Sequence, residues 1–112
     1  MPRRLRAYRS ADVVEHPKFI ITSGGHLRLG MVTLHRDLLM AHEECLGGGF
    51  YEFDYVGHRL VLSGKSFDYG PPRWSRVDTL LVPEAYRGLS IIYRDPRGDE
   101  LDLSGTFPTA YY

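Results

Sequence analysis

The stretch "ECLGGG" (Glu44–Gly49) stands between a helix-like run and a strand-like run of the sequence. Before it, apolar residues recur on one stripe of a helix, at Leu34, Leu38, Ala41 and Cys45. Thr33 is a suitable N-cap for this helix. The glycines suit its end, since glycine readily adopts the left-handed conformation found at helix C-termini. We therefore predict a helix over residues 34–45.

Glycine-rich turns also cradle phosphate, which makes Gly47–Gly49 a candidate anion-binding loop. The carboxyl end of a helix, however, carries exposed carbonyls and a partial negative charge, and both repel an anion. We therefore interpret the three glycines as a helix stop. On the same reasoning Cys45 is a small buried residue at the helix end rather than a nucleophile.

Short apolar runs on either side of this stretch indicate β-strands. The segment "FYEFDYVGHRLVLSG" (50–64) predicts a hairpin, with strands at 50–55 and 59–63 around a turn at Val56–His58. Further strands are predicted at "KFIIT" (18–22), "HLRLGMV" (26–32), "LSIIY" (89–93) and, at a sheet edge, "ELDLS" (100–104).

A second helix is predicted over residues 75–87, where Pro83 weakens it. "DPRGD" (95–99) indicates a turn, and "GTFPTAYY" (105–112) is predicted to be irregular. Because strands and helices interleave, we expect an α/β fold: a single domain over residues 1–112, with a mixed β-sheet of about five to six strands flanked by two helices. Residues 1–16 are expected to be weakly ordered or variable.

The composition is that of one ordinary globular domain. The chain has 112 residues, of which 43% are hydrophobic and 25% charged. Lys plus Arg equals Asp plus Glu at 14 each, so the net charge exerts no general attraction on nucleic acid or an anionic membrane. Arginines crowd the first ten residues, at Arg3, Arg4, Arg6 and Arg9. We interpret them as a solvated terminus, with a phosphate-contacting arm as the alternative.

Cellular location and cofactors are constrained by what the sequence lacks. It has no apolar run of about 18 residues and no secretory signal, so a cytoplasmic protein without a membrane span is expected. Its single cysteine excludes an intramolecular disulfide. The five histidines show no spacing typical of metal ligands, so we expect neither a metal nor another cofactor.

The candidate chemistry centres on His35, in the first turn of the predicted helix. Free backbone N–H groups and the positive end of the helix dipole favour an anion there. A histidine beside a bound phosphoryl group can act as nucleophile or as general acid and base. Lys18 at the start of the first strand offers a point charge, and Ser66 lies in the turn "GKSFDYGPP" (64–72), whose amides suit an anion.

These signals occur in one order, "KFIIT", "LHRDLL", "ECLGGG", "GKSFDYGP", and in that order the sequence resembles the phosphohistidine phosphatase (Janus/Ocnus) family. The resemblance covers residues 17–93, and residues 94–112 extend beyond it. It implies a mixed sheet between two helices. It also implies metal-independent removal of phosphate from phosphohistidine in proteins.

Residue by residue, the resemblance implies that His35 is catalytic and that Lys18 and Ser66 bind the phosphate. Asp68 would contribute through its backbone, and Gly70 belongs to the same loop motif. The phosphate-binding group is completed by Arg36, with Arg28 as the other candidate for the arginine that precedes the family's catalytic helix. The site contains no metal.

The expected function is therefore a metal-independent, phosphohistidine phosphatase-like hydrolase acting on phosphoramidate bonds. Its substrate would be a phosphohistidine-containing protein or a small phosphoramidate, and a monomer is expected. The alternative is a non-catalytic module that binds an anion or a protein on the same fold. Phe50, where family enzymes can carry an arginine, and the acidic Asp68 favour this alternative. Exposed aromatic residues would then line the binding surface, at Tyr51, Tyr69 and Trp74.

Overall fold

A six-stranded mixed sheet organises the chain. The structure, a computed structural model, describes residues 14–64 and 69–112. The strands of the described residues are β1 (His16–Thr22), β2 (Leu27–Val32), β3 (Cys45–Asp54), β4 (Arg59–Ser63), β5 (Leu80–Val82), β6 (Ser90–Arg94), β7 (Glu100–Asp102) and β8 (Thr109–Tyr111). The main sheet has the order β2-β1-β3-β4-β6-β7, and β5 and β8 form a separate parallel pair. Within the main sheet β4 and β6 run parallel and the other neighbours antiparallel.

One face of the main sheet carries the hydrophobic core. Side chains alternate along each strand, so Phe19 and Ile21 of β1 lie on the same face. Both are fully buried, in one cluster with Leu60 and Leu62 of β4. The β5–β8 pair covers this core face through buried residues of β5, namely Leu80 and Val82. Burying each such side chain contributes about 1.5–3 kcal/mol, which makes this layer the main source of stability.

The predicted strands are confirmed at all five places. β1 covers the segment predicted at 18–22, and β2 covers all but the first residue of 26–32. β6 lies one residue later than the predicted 89–93, and β7 covers the first three residues of the edge strand. The hairpin is confirmed: Phe50 pairs with Ser63 and Asp54 with Arg59. The turn at 95–99 is also present, closed by a hydrogen bond from the Asp95 N–H to the Asp99 carbonyl.

The helix predicted over residues 34–45 is wrong. The structure has only a four-residue 3-10 turn, His35–Leu38, and Cys45 already belongs to β3. The chain leaves helical geometry at Leu39, which is extended, and His42 adopts a positive φ of 67°. The glycines are therefore not a helix stop. They lie inside β3, where their lack of a side chain serves the packing described below.

The second helix, predicted over residues 75–87, is also wrong. Two 3-10 turns, Trp74–Arg76 and Glu84–Tyr86, flank β5 instead. Pro83 cannot donate a backbone hydrogen bond, and β5 finds its partner in β8, far along the chain. The tail predicted to be irregular supplies that strand, after a short helix α1 (Leu103–Thr106). In the described part of the chain, no helix has the length and apolar character needed to cross a membrane.

Candidate functional site

The 3-10 turn His35–Leu38 packs on the face of the sheet opposite the core, over β2, β1 and β3. We call this side the turn face. Two glycines make room for the turn. A Cβ atom added to Gly30 would lie 2.9 Å from Cδ2 of Leu38, and one added to Gly48 would lie 3.1 Å from Cδ2 of His35. Ordinary side chains at these two positions would therefore push the turn away from the sheet.

His35 is buried, with 2% of its surface exposed. Its Nε2 lies 2.8 Å from the carbonyl oxygen of Gly49. Because a carbonyl only accepts, Nε2 carries the proton in this contact. The imidazole also meets the ring of Phe50 edge-on, at 5.8 Å between centroids. These contacts make His35 part of the packing between the turn and β3.

Lys18 lies next to this histidine on the turn face. It pairs with Phe50 across the β1–β3 ladder, and only 9% of its surface is exposed. Its ammonium group donates a hydrogen bond to the carbonyl oxygen of Thr33, two residues before His35. The positive charge that was expected to hold a phosphate oxygen therefore lies against the first residues of the turn segment.

Gly70 reaches the same corner from the other side. Its carbonyl oxygen accepts a hydrogen bond of 3.1 Å from the N–H of Gly48, and the Arg73 N–H donates to Leu46 at 2.8 Å. The segment 70–73 thus runs beside β3 beyond Ser63, where β4 has ended. At Gly47, whose φ is 134°, a Cβ would lie 2.5–2.7 Å from backbone atoms of Pro71 and Pro72, so only glycine fits this contact.

The two arginine candidates differ. Arg36 is exposed on the 3-10 turn. Arg28 is held by both carboxylate oxygens of Glu43, and its Nη1 also donates to the Leu38 carbonyl at 3.3 Å. The Arg28 hydrogen bond holds the pKa of Glu43 at about 2, below its ordinary value of 4.5. This pair fastens the loop after the turn to β2.

The start of the turn does not provide the anion site expected of a helix. The Leu34 N–H is already bonded to the carboxylate of Asp37 at 3.1 Å. A turn of four residues also has almost no aligned peptide dipoles. Ser66 and Asp68, the other predicted phosphate ligands, lie outside the described residues. Of the predicted site, the structure brings Lys18, His35 and Gly70 together around Gly48 and Phe50, and leaves Arg36 at the surface.

A second feature, which the sequence interpretation missed, lies at the far end of the β3–β4 hairpin. There a cavity of about 350 Å³ opens between the hairpin and the 3-10 turn Glu84–Tyr86. We call it the hairpin-end cleft. Its walls include the uncharged side chains of Phe53, Tyr55, Ala85, Tyr86 and Leu89 and the imidazole of His58.

Aromatic rings build most of this cleft. The rings of Phe53 and Tyr55 stack at 5.7 Å with an interplanar angle of 25°, and Phe53 meets Tyr86 at 5.8 Å. Tyr55 is 81% exposed and its neighbour Val56 is 95% exposed, so the cleft continues outward into an apolar hairpin tip. Burial raises the pKa of the Tyr86 hydroxyl above its ordinary value.

The charged residues of the cleft neutralise one another. Asp54 accepts from the N–H of Gly57 at 3.0 Å and from Nε of Arg59 at 3.1 Å. Together these hydrogen bonds lower the pKa of the Asp54 carboxyl, the Gly57 bond contributing most. Arg59 also contacts Glu100 at 3.5 Å, which in turn binds Arg94 at 2.7 Å. The result is a chain of alternating charges with no net excess.

The sequence contains a signal for this cleft. Tyr51 and Phe53 of β3 and Tyr55, the residue after its end, alternate along the chain, and this spacing places such side chains on one face of a strand. The aromatic residues named for a binding surface were less suitable, since Tyr51, Tyr69 and Trp74 are all half-buried rather than exposed. Trp74 packs edge-on against Tyr93 at 5.3 Å.

Comparisons of the chain with protein-family models, with curated proteins and with solved structures found no match. The resemblance to phosphohistidine phosphatases therefore depends on the four quoted sequence motifs alone, and function has to be argued from the geometry.

Proposed function

We propose that this protein is a non-catalytic binding module and that the hairpin-end cleft is its ligand site. The observation that supports the proposal is a cavity of about 350 Å³ with aromatic walls and internally paired charges. Ligand sites are typically concave and apolar, with a few polar groups that orient the ligand. Phe53 and Tyr86 provide the apolar walls, and His58 the polar group.

The charge arrangement supports binding rather than reaction. Asp54 and Arg59 are paired with each other at 3.1 Å, so each balances the charge of the other. The cleft is also partly open to solvent through its exposed neighbours, whereas electrostatic catalysis benefits from an enclosed site. The aromatic surface, in contrast, gains directly from excluding water.

The proposal is tested by titrating ¹⁵N-labelled protein with N-acetyl-L-tryptophanamide, a neutral aromatic probe. Saturable shifts are expected at the amides of Tyr55, Ala85 and Leu89. Ala85→Lys, which places a long charged side chain in the cleft from an exposed position, should abolish them. Met40→Ser, which changes a 67% exposed side chain on the loop after the 3-10 turn, is the matched control. Unchanged spectra for the wild-type protein would refute the proposal.

A second candidate is the phosphohistidine phosphatase-like hydrolase, and one observation favours it: Lys18, His35 and Gly70 lie around the same two residues of β3. In this candidate His35 attacks the phosphoryl group or activates water, and Lys18 stabilises negative charge on the oxygens. The substrate would have to reach an imidazole that is 2% exposed and bonded to Gly49.

This candidate predicts turnover of phosphoramidate by the wild-type protein. It also predicts its loss in Lys18→Met and in His35→Gln, where glutamine keeps an N–H donor for the Gly49 carbonyl. Tryptophanamide shifts at the cleft without any turnover would favour the binding module. Turnover that depends on His35 would favour the hydrolase.

A further inference from the structure

We propose that the occupant of the hairpin-end cleft is an aromatic side chain presented by a partner polypeptide, held between neutral, apolar neighbours. This inference rests on the proposed function, because it names the ligand of the same cleft. The volume of the cavity, its paired charges and the exposed apolar surface beside it support this occupant.

The size of the cavity is sufficient for one ring system. Pockets for whole drug-sized ligands span roughly 300–1,000 Å³, and the cleft, at about 350 Å³, lies at the lower limit. Phe53 and Tyr86 offer ring faces and edges, and aromatic pairs gain beyond their buried area when they stack offset or edge-on. An indole or phenol ring fits both the volume and the walls.

The charges of the cleft select a neutral occupant. The Asp54 carboxylate is shared between Gly57 and Arg59, and the Arg59 guanidinium extends to Glu100. The side chains of Asp54 and Arg59 are each 33% exposed and already paired, so a cationic or anionic ligand would gain little attraction from either charge. His58, exposed at the cleft, remains as the polar group that can bond an indole N–H or a phenol hydroxyl.

The surface around the cavity selects a polypeptide over a free small molecule. Val56 is 95% exposed and does not line the cavity, so a ligand confined to the cavity leaves it in water. A polypeptide that inserts one ring can lay its adjacent residues over Val56 and the outer surface of Tyr55. A buried aromatic anchor surrounded by contacts that exclude water is the usual anatomy of a protein-binding hot spot.

The hairpin tip is ordered before any partner arrives. The N–H of Gly57 donates a hydrogen bond to the Asp54 carboxylate within the turn. His58 has a positive φ of 53°, and its carbonyl oxygen accepts a hydrogen bond from the N–H of Ser90 at the start of β6. Tyr55 and Val56 are thus presented from a turn anchored at both ends. A pre-ordered surface lowers the entropy lost on binding.

The test compares four probes by NMR titration: N-acetyl-L-tryptophanamide, and the blocked pentapeptides Gly-Val-Trp-Val-Gly, Gly-Glu-Trp-Glu-Gly and Gly-Lys-Trp-Lys-Gly. The neutral pentapeptide should bind about tenfold more tightly than the amide, since it also covers Val56. Both charged pentapeptides should bind more weakly than the neutral one. Val56→Ser should remove most of that gain and leave the affinity for the amide unchanged, while Met40→Ser should alter neither.

Each contrary outcome has a distinct meaning. Equal affinities of the amide and the neutral pentapeptide, unchanged by Val56→Ser, would overturn the polypeptide inference and leave the binding site intact. Tighter binding of a charged pentapeptide than of the neutral one would show that the cleft does not prefer a neutral occupant. If the protein self-associates and Ala85→Lys abolishes the association, the occupant is a second copy of the chain and the inference of a different partner is overturned. If none of the four probes shifts the NMR signals of the cleft amides, the proposed function itself is refuted.

Discussion

The imidazole of His35 lies on the bare backbone of Gly48, with Cδ2 only 3.1 Å from the position that a Cβ on Gly48 would occupy. The same hypothetical Cβ would lie 2.5 Å from the carbonyl oxygen of Phe19 on β1. The contact between His35 and Gly48 packs the 3-10 turn against the centre of the sheet. It also explains why the glycine run lies within a strand.

Gly48→Ala should therefore destabilise the protein by about 1–3 kcal/mol, the usual cost of overpacking. The backbone of β1 cannot move away without breaking its ladder, so the strain cannot be relieved at the Phe19 carbonyl. Chemical denaturation of the variant and the wild-type protein measures the difference.

Gly24→Ala is the matched control, because a Cβ there meets its nearest atom, Nδ1 of His26, at 3.4 Å. Gly24→Ala should change the free energy of unfolding by less than about 0.5 kcal/mol. Equal stability of the two alanine variants would show that neither the Phe19 carbonyl nor His35 limits the space at Gly48.

The Arg28–Glu43 pair predicts a defined pH dependence. The pKa of Glu43 is about 2 in the folded protein, below its ordinary 4.5, because Arg28 bonds the carboxylate. A depressed carboxyl pKa stabilises the fold above the unfolded pKa, and that contribution is lost as the pH falls through the folded pKa. Relative to Glu43→Gln, the wild-type protein should therefore lose stability between about pH 4.5 and pH 2.

Denaturation series at several pH values check this prediction. Glu44→Gln is the control, since Glu44 is 61% exposed and its contact with Arg76 is 3.6 Å long. The control should follow the wild-type pH profile throughout. A constant difference between wild type and Glu43→Gln across this range would contradict the role assigned to the pair.

Cys45 should react slowly with thiol reagents in the folded protein. The residue is 7% exposed, its Sγ donates to the Gly47 carbonyl at 3.3 Å, and burial raises the pKa of the thiol. The thiolate is the reactive form, so both access and ionisation are restricted. Alkylation by iodoacetamide, followed by mass spectrometry, should be complete in denaturant and slow without it. Rapid labelling of native protein would mean that the start of β3 opens readily.

The strands were predictable from sequence because their signals are local. The apolar run in "KFIIT" is followed by "SGG", and Val56–His58 separates two runs of strand-forming residues. The helices were not predictable, since Leu34, Leu38 and Cys45 match a helical stripe while serving different roles. Leu38 packs over Gly30, whereas Cys45 begins a strand. The contacts that determine the conformation of this segment are non-local, so they produce no periodic pattern in the sequence.

The candidate sites divide in the same way. Lys18, His35 and Gly70, which the motifs name as site residues, lie near one another in the structure. The anion site predicted at His35 depended on the N-terminus of a helix that does not form. The hairpin-end cleft brings Phe53 and Tyr55 close to Tyr86. The 30 residues between Tyr55 and Tyr86 conceal this proximity in the sequence. Only the alternation of aromatic residues along β3 indicated it.

The contact between His35 and Gly49 separates a structural role from a catalytic one. His35→Leu leaves the buried Gly49 carbonyl without the imidazole donor, which should cost about 1–3 kcal/mol. His35→Gln restores an N–H donor and should recover part of this loss. If His35 is purely structural, tryptophanamide binding at the cleft should persist in both variants under conditions where they remain folded, and no phosphoramidate turnover should appear in any form. Turnover that is present in the wild type and absent from a stable His35→Gln variant would instead assign the histidine to catalysis. Denaturation curves and a turnover assay on the wild-type protein and both variants distinguish the structural role from the catalytic one.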